Sequence, residues 1–130
     1  MADTSPRRVL VVDDEASIRR MIEVMLTAHD YEVYEAESAE AGMQIFREKS
    51  PDVVLTDLVM AGLDGADLIR EIRRISPETR VIVMSGGARF GIDVPTLAQQ
   101  LGAAEALQKP FRSADLLLAI RESEGGPDPA

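Results

Sequence analysis

The chain has 130 residues, of which 45% are hydrophobic and 28% are charged, and it contains no cysteine. This is the composition of one globular domain with a sizeable core, and it excludes a disulfide framework, thiol catalysis and a zinc–thiolate site. Because the net charge is −9 and no apolar run approaches ~18 residues, we expect a cytoplasmic protein that neither binds DNA nor inserts into a membrane.

The first half of the chain predicts three strands separated by two helices. Apolar residues recur at i, i+3 and i+4 between residues 18 and 26, which is the pattern of one helix face. Ser38 is a suitable N-cap for a second helix that runs to about Lys49. The short apolar runs around these helices predict strands because polar or turn residues bound them. In chain order these strands cover residues 9–12, 32–36 and 52–57.

The second half continues the same alternation. Asp64-Gly65 begin a third helix, whose apolar residues we expect to face inward. Pro95 suits the first turn of a fourth helix over residues 96–101, and Gly102 suits the position just after it. Ser113 suits the cap of the last helix. The inward residues of the third helix are Leu68, Ile69, Ile72 and Ile75. The two remaining strands cover residues 80–84 and 104–108.

Five strands that alternate with five helices through short connections predict an α/β fold, with a parallel sheet covered by helices on both faces. We expect one domain over residues 8–123. Residues 1–7 and 124–130 are polar or rich in glycine and proline, which is typical of flexible termini. We also expect no output domain, because nothing after Glu122 is long enough to form one.

Polar residues stand at the ends of four predicted strands. Asp13 and Asp14 follow the first strand, Asp57 ends the third, Ser85 follows the fourth and Lys109 follows the fifth. The carboxyl ends of parallel strands meet at one edge of a sheet, so these side chains are expected to converge there.

Three carboxylates at one edge repel one another. At about 5 Å and an effective dielectric near 20, each pair costs about 3 kcal/mol, so a bound cation is expected. Mg²⁺, which prefers oxygen ligands, is the natural occupant. A nucleophilic carboxylate at Asp57, a metal, a lysine and a hydroxyl are together what an in-line phosphoryl transfer to Asp57 requires.

Across residues 9–122 the chain resembles a bacterial response-regulator receiver domain, in its stand-alone, single-domain form. The pieces that carry the resemblance are Val11-Val12-Asp13-Asp14-Glu15, Asp57-Leu58-Val59-Met60 with Asp64-Gly65, Met84-Ser85-Gly86 and Lys109-Pro110-Phe111. The resemblance implies a flavodoxin-like, doubly wound sheet with strand order 2-1-3-4-5. It also implies a cis bond between Lys109 and Pro110.

The resemblance implies that Asp57 takes a phosphoryl group from a phosphohistidine of a sensor histidine kinase or a histidine phosphotransfer protein. Output would pass to an unidentified downstream protein by contact, or onward by phosphotransfer, from a monomer or a weak homodimer. The protein would then be a self-phosphorylating and self-dephosphorylating phosphoacceptor and not an enzyme with small-molecule turnover. The implied Mg²⁺ ligands are Asp14, Asp57, the Val59 carbonyl and, mainly through water, Asp13. The implied phosphate-binding residues are Ser85, Gly86 and Lys109.

Several positions depart from the usual pattern of the family, and two of them, Ala106 and Val59, bear on the alternatives. Ala106 stands where a Tyr or Phe usually reports phosphorylation, so Phe90 is a candidate replacement contact, and a receiver regulated without phosphorylation stays open. Val59 stands where an aspartate-nucleophile phosphohydrolase has its general acid, which argues against that enzyme. A flavin-binding carrier of the same fold needs a Ser/Thr/Gly-rich loop where this chain has Asp13-Asp14-Glu15.

Overall fold

The computed structural model describes residues 7–58, 64–86 and 94–125. Within these ranges strands and helices alternate as the sequence predicts. Their bounds are β1 (Arg8–Val12), α1 (Ala16–Thr27), β2 (Glu32–Ala36), α2 (Ala39–Lys49), β3 (Val53–Asp57), α3 (Asp64–Ile75), β4 (Arg80–Ser85), α4 (Val94–Leu101), β5 (Glu105–Gln108) and α5 (Ser113–Gly125).

The five strands form one parallel sheet in the order β2-β1-β3-β4-β5, which confirms the predicted topology. In this order β1 and β3 lie side by side at the centre, and β4 and β5 follow on one side. Val12 of β1 is in register with Thr56, and Asp57 is in register with Met84. The strands therefore end at a common edge. The connection that follows β1 leads to β2 on one side of this central pair, and the connection that follows β3 leads to β4 on the other side.

Alternate residues of the strands face two separate cores. On one face the sheet packs against α2, α3 and α4 through buried residues such as Phe46, Ile69 and Ala98. On the other face it packs against α1 and α5 through residues such as Ile22 and Ile120. Since each fully buried aliphatic side chain contributes about 1.5–3 kcal/mol, the two cores hold the strands rigidly in place.

Local sequence signals set several helix ends. The side-chain oxygen of Ser38 accepts a hydrogen bond from the Ala41 amide at 3.1 Å, which confirms the predicted N-cap of α2. Gly102 has a φ of 93° directly after α4, so it occupies the left-handed position that glycine tolerates best. The Lys109–Pro110 peptide bond is cis, as expected.

Three predictions about helices need correction. The interpretation of Ile75 as an inward residue is wrong, because its side chain is 42% exposed at the last position of α3, where the helix face turns away from the sheet. Ser113 is the first residue of α5 and not its cap. The Arg112 amide instead donates to the Asp115 carboxylate at 3.0 Å. Helix α4 begins at Val94, two residues earlier than predicted.

The predicted flexible termini fall largely on residues 1–6 and 126–130, which lie outside the described residues. At the C-terminal end α5 extends to Gly125, two residues past the predicted domain boundary. Among the described residues no helix is both long and apolar enough to cross a membrane.

Candidate functional site

The carboxyl edge of the sheet gathers polar residues from four strand ends. Asp13 and Asp14 follow β1, Asp57 ends β3, Ser85 ends β4 and Lys109 follows β5. The backbone amide of Lys109 donates to the Ser85 carbonyl at 2.6 Å, so the ends of β4 and β5 stay together past the sheet. The parallel topology thus brings the predicted residues to one place.

The three aspartates form one cluster. Asp13, Asp14 and Asp57 each offer a carboxylate oxygen, and these three oxygens all lie within 4.8 Å of one another. Asp13 is fully buried, Asp57 is half-buried and Asp14 is exposed. A set of hard oxygen donors that is open to solvent on one side fits a divalent cation such as Mg²⁺, which retains several of its waters.

Lys109, the residue after β5, reaches the cluster from two strands away from β3. Its Nζ donates to Asp13 Oδ2 at 2.6 Å and to Asp57 Oδ2 at 3.1 Å, and lies 3.9 Å from Glu15 Oε1. Burial lowers the pKa of the Lys109 ammonium, but its hydrogen bonds with Asp13 and Asp57 and their negative charges outweigh burial, so the net pKa is raised. Lys109 is therefore positively charged across the physiological pH range and partly neutralises the aspartates.

A hydrogen-bond network fixes the loop between β1 and α1. Asp13 Oδ1 accepts from the Glu15 amide at 2.9 Å, and the Asp13 amide donates to the Ala36 carbonyl at 3.1 Å. The Arg19 guanidinium donates to the Asp13 carbonyl at 2.7 Å and to Glu35 Oε1 at 3.3 Å. The backbone that carries Asp13 and Asp14 is thus held from β2 and from α1.

The contacts of Arg19 were not predicted from the sequence, in which it falls on the face of α1 opposite the apolar residues. Its side chain is only 15% exposed because it folds back over the β1–α1 loop. No sequence motif marks this contact. The only available signal is the proximity of a long cationic side chain, in the first turn of the helix, to the acidic end of β1.

Gly65 lies in the first turn of α3, directly against the end of β3. A Cβ atom at this position would lie 2.2 Å from the Asp57 carbonyl oxygen and 2.5 Å from that of Leu58. Both are backbone atoms that cannot swing aside. Glycine here allows α3 to begin in contact with the backbone that presents Asp57, which explains the residue type better than a turn requirement alone.

Of the remaining predicted site residues, the structure describes some and not others. Ser85 is half-buried at the end of β4, and Gly86 is exposed, with open space where a Cβ would stand. Ala106 is exposed on β5 in register with Val83. Val59, the expected carbonyl ligand, and Phe90, the expected replacement contact, lie outside the described residues. The roles assigned to these residues stay predictions.

Comparison with known proteins shows the family to which this chain belongs. A family model described as response regulator receiver domain matches residues 9–121. The chemotaxis protein CheY of Bacillus subtilis (strain 168) is 33% identical over 117 residues, which cover 89% of this chain and 96% of that protein. The probable transcriptional regulator ycf27 of Porphyridium aerugineum is 35% identical over 114 residues, which cover 88% of this chain but 46% of that regulator.

Solved structures agree with this assignment. A response regulator receiver domain protein from Clostridium thermocellum superposes with a TM-score of 0.82 at 39% identity, over 90% of this chain and 93% of that one. A CheY-like receiver domain protein from Methanospirillum hungatei JF-1 gives a TM-score of 0.83 at 26% identity, over 91% and 93% of the two chains. The similarity therefore extends over the whole sheet and the edge where the aspartates meet.

Proposed function

Because the chain belongs to the response regulator receiver domain family, we propose that Asp57 accepts a phosphoryl group from a phosphohistidine of a sensor histidine kinase or a histidine phosphotransfer protein. Receiver domains are the signalling modules of two-component systems. The observation that carries the proposal for this chain is the cluster of Asp13, Asp14 and Asp57, with the Lys109 ammonium bonded within it.

The transfer needs only one nucleophilic oxygen from the protein. A carboxylate oxygen of Asp57 forms a bond to phosphorus while the phosphorus–nitrogen bond of the donor histidine breaks, and the imidazole nitrogen leaves with the electron pair. The product is an acyl phosphate on Asp57. Because the phosphoryl group is anionic and so are its neighbours, positioning and charge compensation supply most of the catalysis.

The residues that would hold Mg²⁺ are Asp14 and Asp57 directly, Asp13 mainly through water, and the carbonyl of Val59. When bound, the metal offsets the negative charge of the carboxylates and of the incoming phosphoryl oxygens. The burial of Asp13 and its hydrogen bonds with the Glu15 amide and with Lys109 support a second, orienting role for that carboxylate.

Lys109 stabilises the product in the proposed reaction. Its Nζ lies 3.1 Å from Asp57 Oδ2, so a phosphoryl group on Asp57 would come within the reach of the ammonium after a small side-chain movement. We assign the Ser85 hydroxyl and the Gly86 amide as donors to the other phosphoryl oxygens. Their position at the end of β4, the strand next to Asp57, supports this assignment.

The consequences of phosphorylation would pass to other proteins. We propose a cytoplasmic receiver, monomeric or weakly dimeric, that signals through contact with an unidentified downstream protein or by onward phosphotransfer, with no small-molecule turnover. The domain would occupy residues 8–123.

Incubation of the protein with Mg²⁺ and acetyl phosphate, followed by intact-mass measurement, tests the proposal. We expect a gain of one phosphoryl group that disappears in Asp57→Asn and after chelation of the metal. Asp67→Asn is the matched control, since Asp67 is an exposed aspartate on α3 that pairs only with Arg70 among the described residues, and we expect it to behave as the original chain does. A phosphoryl gain that survives Asp57→Asn would overturn the assignment of the nucleophile.

One observation favours a second candidate function, that of a receiver regulated without phosphorylation. Ala106 gives β5 no aromatic side chain to swing inward, and its small side chain is exposed. A receiver regulated without phosphorylation would therefore be the conclusion if neither acetyl phosphate nor a phosphohistidine donor modified the chain in the presence of Mg²⁺. The same experiment thus separates the two functions.

A further inference from the structure

A second concave site lies at the amino edge of the sheet, opposite the aspartate cluster. The cavity has a volume of about 510 Å³ and lies where α2 and α3 end and where β3 and β4 begin. This size is in the range of cavities that hold small organic ligands. None of its described lining residues belongs to the phosphoacceptor site.

The cavity is richer in positive charge than the chain as a whole. Among its described lining residues are Arg7, Arg47 and Arg80, against two acids, Asp52 and Glu78, in a chain whose net charge is −9. Asp52 Oδ2 accepts the backbone amide of Arg8 at 2.9 Å, and Arg47 forms an exposed ion pair with Glu71 at 3.8 Å, which an anion would have to compete with. The balance of charge therefore favours an anionic ligand.

Arg80 is a cavity-lining arginine whose guanidinium has no partner among the described residues. Its side chain is half-buried at the first position of β4, and its guanidinium has no hydrogen bond or ion pair with any residue that the structure describes. Burial, and after it the positive charge of Arg80, lower the pKa of the Arg73 guanidinium. An anion at Arg80 would relieve the repulsion between these two cations.

Arg73 also has an orphaned polar atom. Its terminal nitrogens donate to the carbonyls of Pro77 and Thr79, but its buried Nε has no hydrogen-bond partner among the described residues. Buried polar atoms are rarely left without a partner. Arg73 does not line the cavity, so this donor is not available to a ligand bound there.

Hydroxyl groups add to the donor set. Ser76 and Thr79 line the cavity, and their hydroxyl oxygens are 2.8 Å apart, so one donates to the other. Ser50 lines it from the end of α2 with a φ of 48°, a left-handed conformation in which glycine would be less strained.

The lining also includes three apolar residues, Phe46, Pro51 and Ile75. Phe46 and Pro51 are buried by the protein, whereas the Ile75 side chain is 42% exposed. A simple inorganic anion would leave Ile75 in water. A ligand with an apolar or planar body would cover it.

We propose that this cavity binds a small organic monophosphate, with its phosphate at Arg80 and Arg47 and its body against Ile75. Guanidinium groups bind phosphate through charge-assisted hydrogen bonds of the strongest kind. The site is separate from the chemistry of Asp57, so the proposal stands or falls independently of the phosphoacceptor function.

Titration with adenosine 5′-monophosphate, followed by amide chemical shifts of the full chain, tests the proposal. We expect saturable shifts centred on Ser50, Ile75 and Arg80, and weaker binding of both inorganic phosphate and adenosine. Arg80→Gln should weaken binding about tenfold or more, as expected for the loss of one charge-assisted contact. Arg70→Gln, which removes an exposed arginine of α3 that pairs with Asp67, should leave affinity within about twofold.

The amide spectrum of each variant shows directly whether it is folded, so a failed variant is not mistaken for lost binding. Three results would overturn the proposal. These are no saturable binding by any of the three probes, equal binding of inorganic phosphate and the nucleotide, and shifts confined to the edge that carries Asp57.

Discussion

At the scale of single residues, Arg19 shows how a side chain outside the aspartate cluster can position it. It lies on α1, but its guanidinium bonds the Asp13 carbonyl at 2.7 Å and Glu35 at 3.3 Å. Through these two bonds it fixes the backbone from which Asp13 and Asp14 project. Arg19 is thus a positioning residue, since it acts on the site through the loop.

Replacement of Arg19 should affect both stability and phosphorylation. We expect Arg19→Ala to lower the free energy of unfolding by about 1–3 kcal/mol, because the buried Asp13 carbonyl loses a charged donor. The initial rate of phosphoryl gain from acetyl phosphate should fall as well. Urea unfolding and intact-mass time courses measure the two effects.

Two comparisons make the Arg19 experiment specific. Arg20→Ala removes an exposed arginine next in sequence and should change neither quantity appreciably. Arg19→Lys should recover only part of the loss, because lysine cannot bond two acceptors with one planar fork. If Arg20→Ala and Arg19→Ala had equal effects, the positioning role would be wrong.

Whether the location of a site residue could be predicted from sequence depends on whether that residue adjoins a strand end. Asp13, Asp57 and Lys109 could be placed together from sequence because each adjoins a strand end, and parallel strands end at one edge. Arg19 and the orphaned Nε of Arg73 could not, because their contacts depend on how long side chains fold back across loops. No periodicity encodes that choice.

At the scale of secondary-structure elements, α3 shows where amphipathic periodicity stops being a guide. Leu68, Ile69 and Ile72 are buried against the sheet as the spacing predicts. Ile75 continues the same spacing but lies at the end of the helix, beyond the cover of the sheet, and is exposed. The period defines a face of the helix, but the tertiary fold determines how much of that face is covered.

Paired alanine substitutions in α3 should reveal this difference. Ile69→Ala should lower the free energy of unfolding by about 2–5 kcal/mol, because it leaves a cavity in a closely packed core. Ile75→Ala removes the same atoms from a half-exposed position and should cost less than about 1 kcal/mol. Denaturant unfolding of both variants measures the contrast, and equal costs would contradict the exposure of Ile75.

At the scale of the whole molecule, the sheet separates two sites of opposite charge. The aspartate cluster lies at the carboxyl edge, and the arginine-lined cavity lies at the amino edge. Strand β3 runs from one to the other, with Asp52 before its first residue and Asp57 as its last. The parallel sheet with helices on both faces was predictable from the alternation of strands and helices, and the strand order from the resemblance to receiver domains. The cavity was not, because it forms between helix ends that are remote in sequence.

Magnesium that binds at the carboxyl edge of the sheet should stabilise the folded state of the whole chain. A ligand that binds only the folded state raises the free energy of unfolding, by about 1.4 kcal/mol at ten times its dissociation constant. We expect thermal unfolding to shift upward with Mg²⁺ at constant ionic strength and to return after chelation. Asp14→Asn should abolish most of the shift.

Asp67→Asn again serves as the control, because it lowers the net negative charge by the same amount at an exposed position on α3. It should keep the full magnesium shift. An equal shift in Asp14→Asn and in Asp67→Asn would mean that magnesium acts by general screening of the −9 charge and not by binding at the aspartates.

The bonds from Lys109 to Asp13 and Asp57 have a consequence for the order of events in the life of the chain. Small metal-dependent domains remain unfolded until their ion arrives, because their ligands have no other partner. Here Lys109, the residue after β5, already supplies a positive charge to the acidic edge. We therefore expect a newly made chain to complete its fold without magnesium, and a bound ion to exchange without opening the structure.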